Sequence, residues 1–586
     1  VKISRYFSRD RKNGHHFHPH ISIEAADMTV QNTGASEITV FTARKVITMD
    51  TTLPEATAVA VRDGLVLEVG SLETLKPWLD RYAHTVDRQF EDKILMPGFI
   101  DPHLHPSMAA VILQMEFLTA MEWRLPWGTV QPVTTQDAFF ARLKELSDNM
   151  EDPNAPLFTW GYHRNWHGVI TKPMIDEVVG DRPVILWHRS FHEIIVNSKA
   201  LEWMEITRES LGNHPQAKFD DGHFFEMGLH KASSKLTPYL MAPERAMDGL
   251  NRLREVAHFG GHTTLGDMAV GIFDLDMEYA GAKLMYDNDQ TPFRIQMIAN
   301  AMGLSATNKS HQKTLELIDA LPERNTHRLR FSNHVKLFTD GAFFSQLMQL
   351  GEPGYLDGHH GEWLMPPESF EEAAELYWKS GYRIHVHCTG DMGLELALDV
   401  LEKLQWERPR FDHRFTIEHF GLSTPEQVRR LKALGGCVSA NVYYLHELGD
   451  QYAEAGVGYE RASQIGRLGT CIREGVPTAL HSDYTMAPAL PLNNAWVAVN
   501  RVTSQGTVMA PTECLSVEDA LKAITIEAAY VMGLEHEVGS LRAGKKADMV
   551  VLEQNPYDID PMALKDIPIW GTIFEGAVFP IVKKDA

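Results

Sequence analysis

Histidines recur in this sequence at the ends of short apolar runs. "DPHLHP" carries His103 and His105, "IHVHCTGD" carries His385 and His387, "TIEHF" carries His419, and "HSD" carries His481 and Asp483. Residues two apart on a strand face the same side, so each such pair presents two donors to one place. Neutral imidazoles and a carboxylate suit a divalent cation. A single HxH is as readily two hydrogen-bonded core histidines. Four strand ends of the same kind are an odd solution to a packing problem, and they point to a metal site. One more run stands out: "NHVKLFTDGAFF" places Lys336 between Val335 and Leu337, where a cation is costly to bury unless paired or neutralised.

These residues need a scaffold that brings distant strand ends together. From Ser369 onward, predicted helices and strands alternate. "SFEEAAELYWKSG" opens on a Ser369–Glu372 capping box. "TPEQVRRLKALGG" has Thr424 as cap, Pro425 at the first helical position and glycine at the end. "YERASQIGRLGTCIREG" reads as one helix. The strands between are "YRIHVHC", "RFTIEHF", "CVSANVYY" and "VPTALHSD"; upstream lie "ILMPGFIDPHLH", "GHTTLGDM", "PFRIQMIAN" and "HVKLFTD". Alternation of this kind implies parallel strands with helical crossovers, and the strand count is that of a (β/α)8 TIM barrel, whose sites form at the C-terminal strand ends. The barrel is expected over residues 98–534. Between its first two strands lies an insertion of roughly 150 residues, about 106–254, too long for a plain βα connection. It holds its own strand-like "RPVILWHRS" and "HEIIVNS".

Both chain ends read differently. "ITVFTARKVITM", "TAVAVRDGLVLEVG" and "TVDRQFEDKILMPG" alternate apolar and polar residues, with Asp63-Gly64 a hairpin signal. "ADMVVLEQNP" and "IPIWGTIFEGAVFPIV" answer them at the C-terminus. A small β-sandwich domain built from residues 36–97 and 535–586 is expected. Residues 1–35, with the His cluster "GHHFHPH", read as an N-terminal tail or arm.

Bulk properties exclude some functions. The net charge is −23 over 586 residues, with no basic block, so nucleic acid and anionic membranes are poor partners. The four cysteines form no CxxC pair, and no apolar run approaches a membrane span. A cytoplasmic protein acting on a small molecule is expected, as a homodimer on base rates.

Taken together, "LMPGFIDPHLH", "RPVILWHRSFHEIIVNSKAL", "VKLFTDGAF", "HVHCTGD", "TIEHF", "HSDYTMAP" and "GSLRAGKKADMVVLE" resemble the amidohydrolase superfamily and, within it, the YtcJ-like group, over residues 38–580. The resemblance implies His103 and His105 as ligands of a more buried metal, and His387 and His419 as ligands of a more exposed one. It implies that Asp483 binds the buried metal and holds the attacking water. Lys336 falls where many superfamily members place a lysine carboxylated by CO₂, an anionic bridge between two metals. One or two divalent ions, Zn²⁺ above all, are therefore expected, with Asp483 as catalytic proton shuttle. The group includes N-substituted formamide deformylases, so an N-acyl or N-formyl C–N bond is the expected target. Cyclic amide, carbamate, ester or lactone hydrolysis and deamination are alternatives on the same site. A non-catalytic binding protein on the same scaffold is the rival class.

His385 and His481 sit one layer deeper and read either as supports of the ligands or as barrel packing. His192, His163, Trp160, Asp340 and Phe343 are candidate substrate contacts. Two loops depart from the group: "FFSQLMQL" follows "TDGA", where small residues and an arginine are common, and "YTMAPALPL" follows the "SD" of the last strand. Their phenylalanines and methionines suggest an apolar portion in the substrate.

Overall fold

A computed structural model describes residues 36–582 apart from 192, 226 and 227, and no side-chain surroundings for 230, 233 and 234. The His-rich N-terminal segment and His192 lie outside the described residues.

The central sheet has eight parallel strands in chain order: β1 (Phe99–Leu104), β2 (His262–Val270), β3 (Arg294–Asn300), β4 (Leu329–Phe338), β5 (Arg383–Cys388), β6 (Thr416–His419), β7 (Cys437–Ala440) and β8 (Thr478–Leu480). Each coincides with a run predicted from the sequence. The sheet returns on itself just beyond β8, where Asp483 N donates to the His103 carbonyl at 2.9 Å and His105 N to that of Tyr484 at 3.0 Å. That seam places Asp483 directly against the HxH pair. The fold is an α/β barrel of the TIM type with additional sheets.

Several local expectations hold. Thr424 caps the helix Pro425–Leu434: its hydroxyl accepts from Gln427 N, and Gln427 reaches back to Thr424 N. Gly435 ends that helix at φ 78°, a conformation that favours glycine. Two expectations are corrected. The helix before β5 begins at Pro367, with Ser369 already inside it, so the Ser369–Glu372 capping box does not form. A proline in the first turn starts the helix instead, its fixed φ suiting that position. The segment before β8 is two helices, Tyr459–Ala462 and Leu468–Glu474, separated around Gly466 at φ 59°.

The chain ends share one seven-stranded sheet. Glu55–Arg62 and Leu65–Gly70 form the hairpin signalled by Asp63-Gly64, both residues having positive φ. Met549–Leu552 pairs antiparallel with His84–Pro97, joining the two ends. The edge strand turns back to the C-terminal segment, since Val66 N donates to the Lys545 carbonyl at 2.8 Å. The curled sheet encloses Phe41, Val59, Val66, Phe90, Met549 and Ile573.

The insertion folds around a six-stranded mixed sheet. Val184–His188 pairs antiparallel with Glu193–Val196 and parallel with Leu157–Tyr162. Pro243 begins a helix that runs unbroken to Phe259, just before β2, and packs on the helix Pro106–Ile112 that follows β1.

Candidate metal centre

The seam between β8 and β1 carries the most concentrated chemistry. Asp483 Oδ1 lies 3.1 Å from His105 Nε2 and 3.6 Å from His103 Nε2, while Oδ2 lies 3.6 Å from His419 Nδ1. Donor atoms of His103, His105 and Asp483 all fall within 4.8 Å of one another, and so do those of His103, His419 and His481. Two overlapping clusters thus share His103. His387, at the end of β5, stands with its ring centroid 4.4 Å from that of His419.

The backbone is bent to make this possible. His419, Phe420 and Asp483 have φ of 74°, 49° and 52°. Non-glycine residues rarely adopt such values, and they concentrate at functional sites. The turn at His419 breaks the pleat of β6, so that Glu418 and His419 both face the barrel interior despite being adjacent.

Glu418 was not among the expected site residues, yet it is the hub of the layer beneath. Fully buried, its carboxylate lies 2.7 Å from His103 Nδ1 and 2.6 Å from His385 Nδ1. His481 Nδ1 is 3.4 Å away and meets Ser439 Oγ at 2.8 Å. Burial pushes the Glu418 carboxyl up, but His103, His385 and His481 more than offset this and hold it well below the usual range. His385 also meets His334 through its other nitrogen at 2.8 Å. Both its nitrogens are engaged within the barrel, so it supports the site. His481 differs, because its Nε2 has no hydrogen-bond partner among the described residues and the residue belongs to a ligand cluster.

The donor set fits a divalent cation. Burial, with the charges of neighbouring groups, holds His103 and His419 well below the ordinary imidazole value, so both are neutral, as ligands must be. His419 Nδ1 and His481 Nε2 are buried without a hydrogen-bond partner among the described residues. Such orphans are rare in folded proteins, and coordination of a cation resolves them.

Lys336 stands directly opposite His385 in the β4–β5 register and is 1% exposed. Its Nζ has no hydrogen-bond partner among the described residues, and the Phe338 ring centre is 5.5 Å away. Burial pushes it down to about 8, against the opposing pull of Glu418 and Asp483. It does not pair with Asp340.

Asp340 has another task. Its carboxylate accepts from the backbone N–H groups of Gln349, Thr389 and Gly390 at 2.8–2.9 Å. Gly390 is required there, since a Cβ would lie 2.1 Å from the Gln349 carbonyl. Asp340 therefore ties the β4 and β5 loops together and is not directed at a substrate, a correction to the expected role. Phe343 is likewise a packing residue, sandwiched between Tyr444 and Tyr452 with centroids 4.1 and 4.5 Å away. Trp160 is fully buried against Phe117 and Trp123. His163 caps the short helix Arg164–His167 and, with Trp166, Arg189, Phe344 and Glu447, lines a small cavity between insertion and barrel. Sequence alone does not single out Arg189 or Glu447. Arg189 Nη2 lies 2.7 and 2.6 Å from the two Glu447 carboxylate oxygens, although the residues are 258 positions apart.

Among the described residues, no helix is long and apolar enough to cross a membrane. A family model described as the amidohydrolase family matches residues 90–580. Protein LONG AFTER FAR-RED 3 of Arabidopsis thaliana is 27% identical over 88% of this chain and 86% of its own length. The N-substituted formamide deformylase of Arthrobacter pascens is 24% identical over 89% and 94%. The putative amidohydrolase YtcJ of Bacillus subtilis is 24% identical over 89% and 95%. A metal-dependent hydrolase from Pyrococcus horikoshii has the same fold, with a TM-score of 0.68 at 22% identity over 90% of this chain and 99% of that one. A family match that runs from residue 90 through all eight barrel strands, the His–Asp seam and the C-terminal strands leaves one assignment: the chain belongs to the amidohydrolase family of metal-dependent hydrolases.

Proposed function

We propose that this hydrolase cleaves a non-peptide C–N bond, an amide of the N-acyl or N-formyl kind, in a small and partly apolar molecule. The observation that carries this reading is Asp483, a carboxylate set 3.1–3.6 Å from three imidazoles at the mouth of the barrel. The similarity to an N-substituted formamide deformylase supports the choice of bond. Phe344, Trp166 and the aromatic wall behind them support an apolar portion in the substrate.

His103, His105 and Asp483 would hold one ion, for which Zn²⁺ suits the nitrogen and oxygen donors; His419 with His387 or His481 would hold another. When bound, such an ion supplies Lewis-acid polarisation of the carbonyl and a water acidified toward neutrality. The chain's own part is proton management. Asp483, whose backbone N–H is bonded to the His103 carbonyl, takes a proton from the attacking water as the new C–O bond forms. It returns that proton to the nitrogen as the C–N bond breaks, so one carboxyl serves as base and then acid. No serine or cysteine nucleophile is required. Cys388 is buried with its thiol pushed far up. Lys336 is proposed to react through its Nζ lone pair with CO₂, losing a proton and becoming an anionic carbamate. That would exchange a buried, partnerless cation for a metal-binding anion.

The test is metal analysis of the purified protein, inactivation by chelator, and a panel of N-formyl and N-acyl amines, lactones and aminopurines. Bound zinc or manganese with turnover of the formyl or acyl amines is expected. A protein that takes up no cation, or one that turns over only aminopurines, would sink this reading.

A further inference from the structure

The hydrogen bonds that meet at Glu418 can be assigned a direction, because two imidazole nitrogens converge on its one buried carboxylate at 2.6–2.7 Å. An ionised Glu418 is acceptor-only. The imidazole nitrogens that touch it, His103 Nδ1 at 2.7 Å and His385 Nδ1 at 2.6 Å, must therefore both carry hydrogen. With its proton on Nδ1, His385 meets His334 Nδ1 through Nε2 at 2.8 Å, the arrangement in which His334 donates. By the same logic His103 has its lone pair at Nε2. That lone pair faces Asp483 Oδ1 at 3.6 Å, beyond hydrogen-bonding range. Two acceptors facing each other in a buried site repel unless a cation lies between them.

We infer that Glu418 is a positioning residue for the metal centre: it fixes His103 in the tautomer that ligates through Nε2, and anchors this choice through His385 to His334 on the neighbouring strand β4. This rests on the metal site proposed above. Glu418 does not touch substrate. Its effect comes through the orientation and basicity of His103, the imidazole common to both ligand clusters. A carboxylate behind a ligating imidazole typically matters 10- to 100-fold in metal affinity.

Glutamine is nearly the same size but offers one acceptor and one donor. In Glu418→Gln, one of the two imidazoles must turn its proton outward. If it is His103, the ligating lone pair is lost. If it is His385, His334 must switch as well, and His103 still loses its anionic partner. Zinc affinity, measured by chelator competition on the full-length metal-free protein, is expected to fall about 10- to 100-fold in Glu418→Gln, with an unchanged far-UV spectrum. His385→Phe, which removes the far arm and leaves the His103–Glu418 pair, is expected to lose less than about threefold on the same scale. Equal losses in both variants would mean general damage to the barrel interior and would overturn the inference, as would an unchanged affinity in Glu418→Gln. Neutron diffraction of the deuterated wild type locates the protons directly and requires no variant to fold. Deuterium on Nδ1 of His103, His385 and His334 supports the inference, and deuterium on Nε2 of His103 refutes it. A wild type that binds no cation sinks the hydrolase reading instead, and the neutron map alone then decides the tautomers.

Discussion

A buried ion pair ties the insertion to the barrel, and breaking it has a calculable cost. Arg189 follows the strand Val184–His188, and Glu447 lies in the helix Tyr443–Gln451 after β7. Their side chains are 3% and 2% exposed. Arg189 also donates to the carbonyls of Thr485 at 3.4 Å and Met486 at 2.6 Å, two and three residues past Asp483. Its guanidinium packs against Trp160, Phe344 and Trp123 at 4.8–5.5 Å. Arg189→Met leaves the Glu447 carboxylate buried without its cation, which costs about 3–5 kcal/mol. At 1.36 kcal/mol per decade, amide exchange across Leu157–Tyr162 and Val184–His188 should then accelerate about 10²- to 10⁴-fold, provided these strands open with the insertion. Replacing both partners by apolar side chains is often neutral, so Arg189→Met combined with Glu447→Leu should bring exchange back to within about tenfold of wild type. Hydrogen exchange read by mass spectrometry on the wild type, the two single variants and the double variant checks this. Less than tenfold acceleration in the single variants would show that the pair does not hold the insertion. Turnover should not recover in the double variant, because the Thr485 and Met486 carbonyls beside Asp483 still lack their donor.

Three further outcomes follow from the geometry. Asp483→Asn keeps the backbone bond to His103 but removes the proton shuttle, so kcat on the best panel substrate should fall about 10²- to 10⁴-fold, checked by steady-state kinetics at saturating metal. Lys336 tests the carbamate: protein stripped of metal and CO₂ should regain its full metal complement only when bicarbonate accompanies zinc, and Lys336→Ala should ignore bicarbonate; equal loading without bicarbonate argues for an unmodified amine. Glu193 gives a pH signature. Burial pushes its carboxyl up, but the bond to His223 and the charge of His188 outweigh this and hold it at about 2. Because the folded value lies below the unfolded one, the stabilisation is full above about 4.5 and is lost as pH falls toward 2. Acid unfolding of the insertion followed by hydrogen exchange should therefore show a step in that window, absent in Glu193→Gln.

Much of the barrel was legible because its signals are local. Each strand is a short apolar run between turn residues, and Thr424-Pro425 or Asp63-Gly64 specify their own backbone. The places where reading failed are those where distant residues decide. Ser369 and Glu372 have the spacing of a capping box, but Pro367 starts the helix earlier and leaves Ser369 inside it. Arg189 and Glu447 carry no mutual signal at a separation of 258 residues. Asp340 reads as part of a turn after β4 close to the site, and only the approach of the β5 loop shows its carboxylate consumed by backbone donors.

Glu418 is the residue that alternation hides. Period-two alternation says that adjacent residues face opposite sides of a strand, so taking His419 as an inward ligand turns Glu418 outward, toward the helices. That inference fails at one torsion, the φ of 74° at His419, which no pattern in "TIEHF" reveals. A different cue was present. The cost of burying a lone charge makes Lys336 conspicuous, and that cost is indifferent to sign. Glu418 occupies the third position of a four-residue strand buried throughout, and an outward carboxylate beneath covering helices would need a cation the sequence does not supply. Glu418, like Lys336, needs a partner of opposite character to be buried at bearable cost. The imidazoles already assigned to the neighbouring strand ends are the available answer.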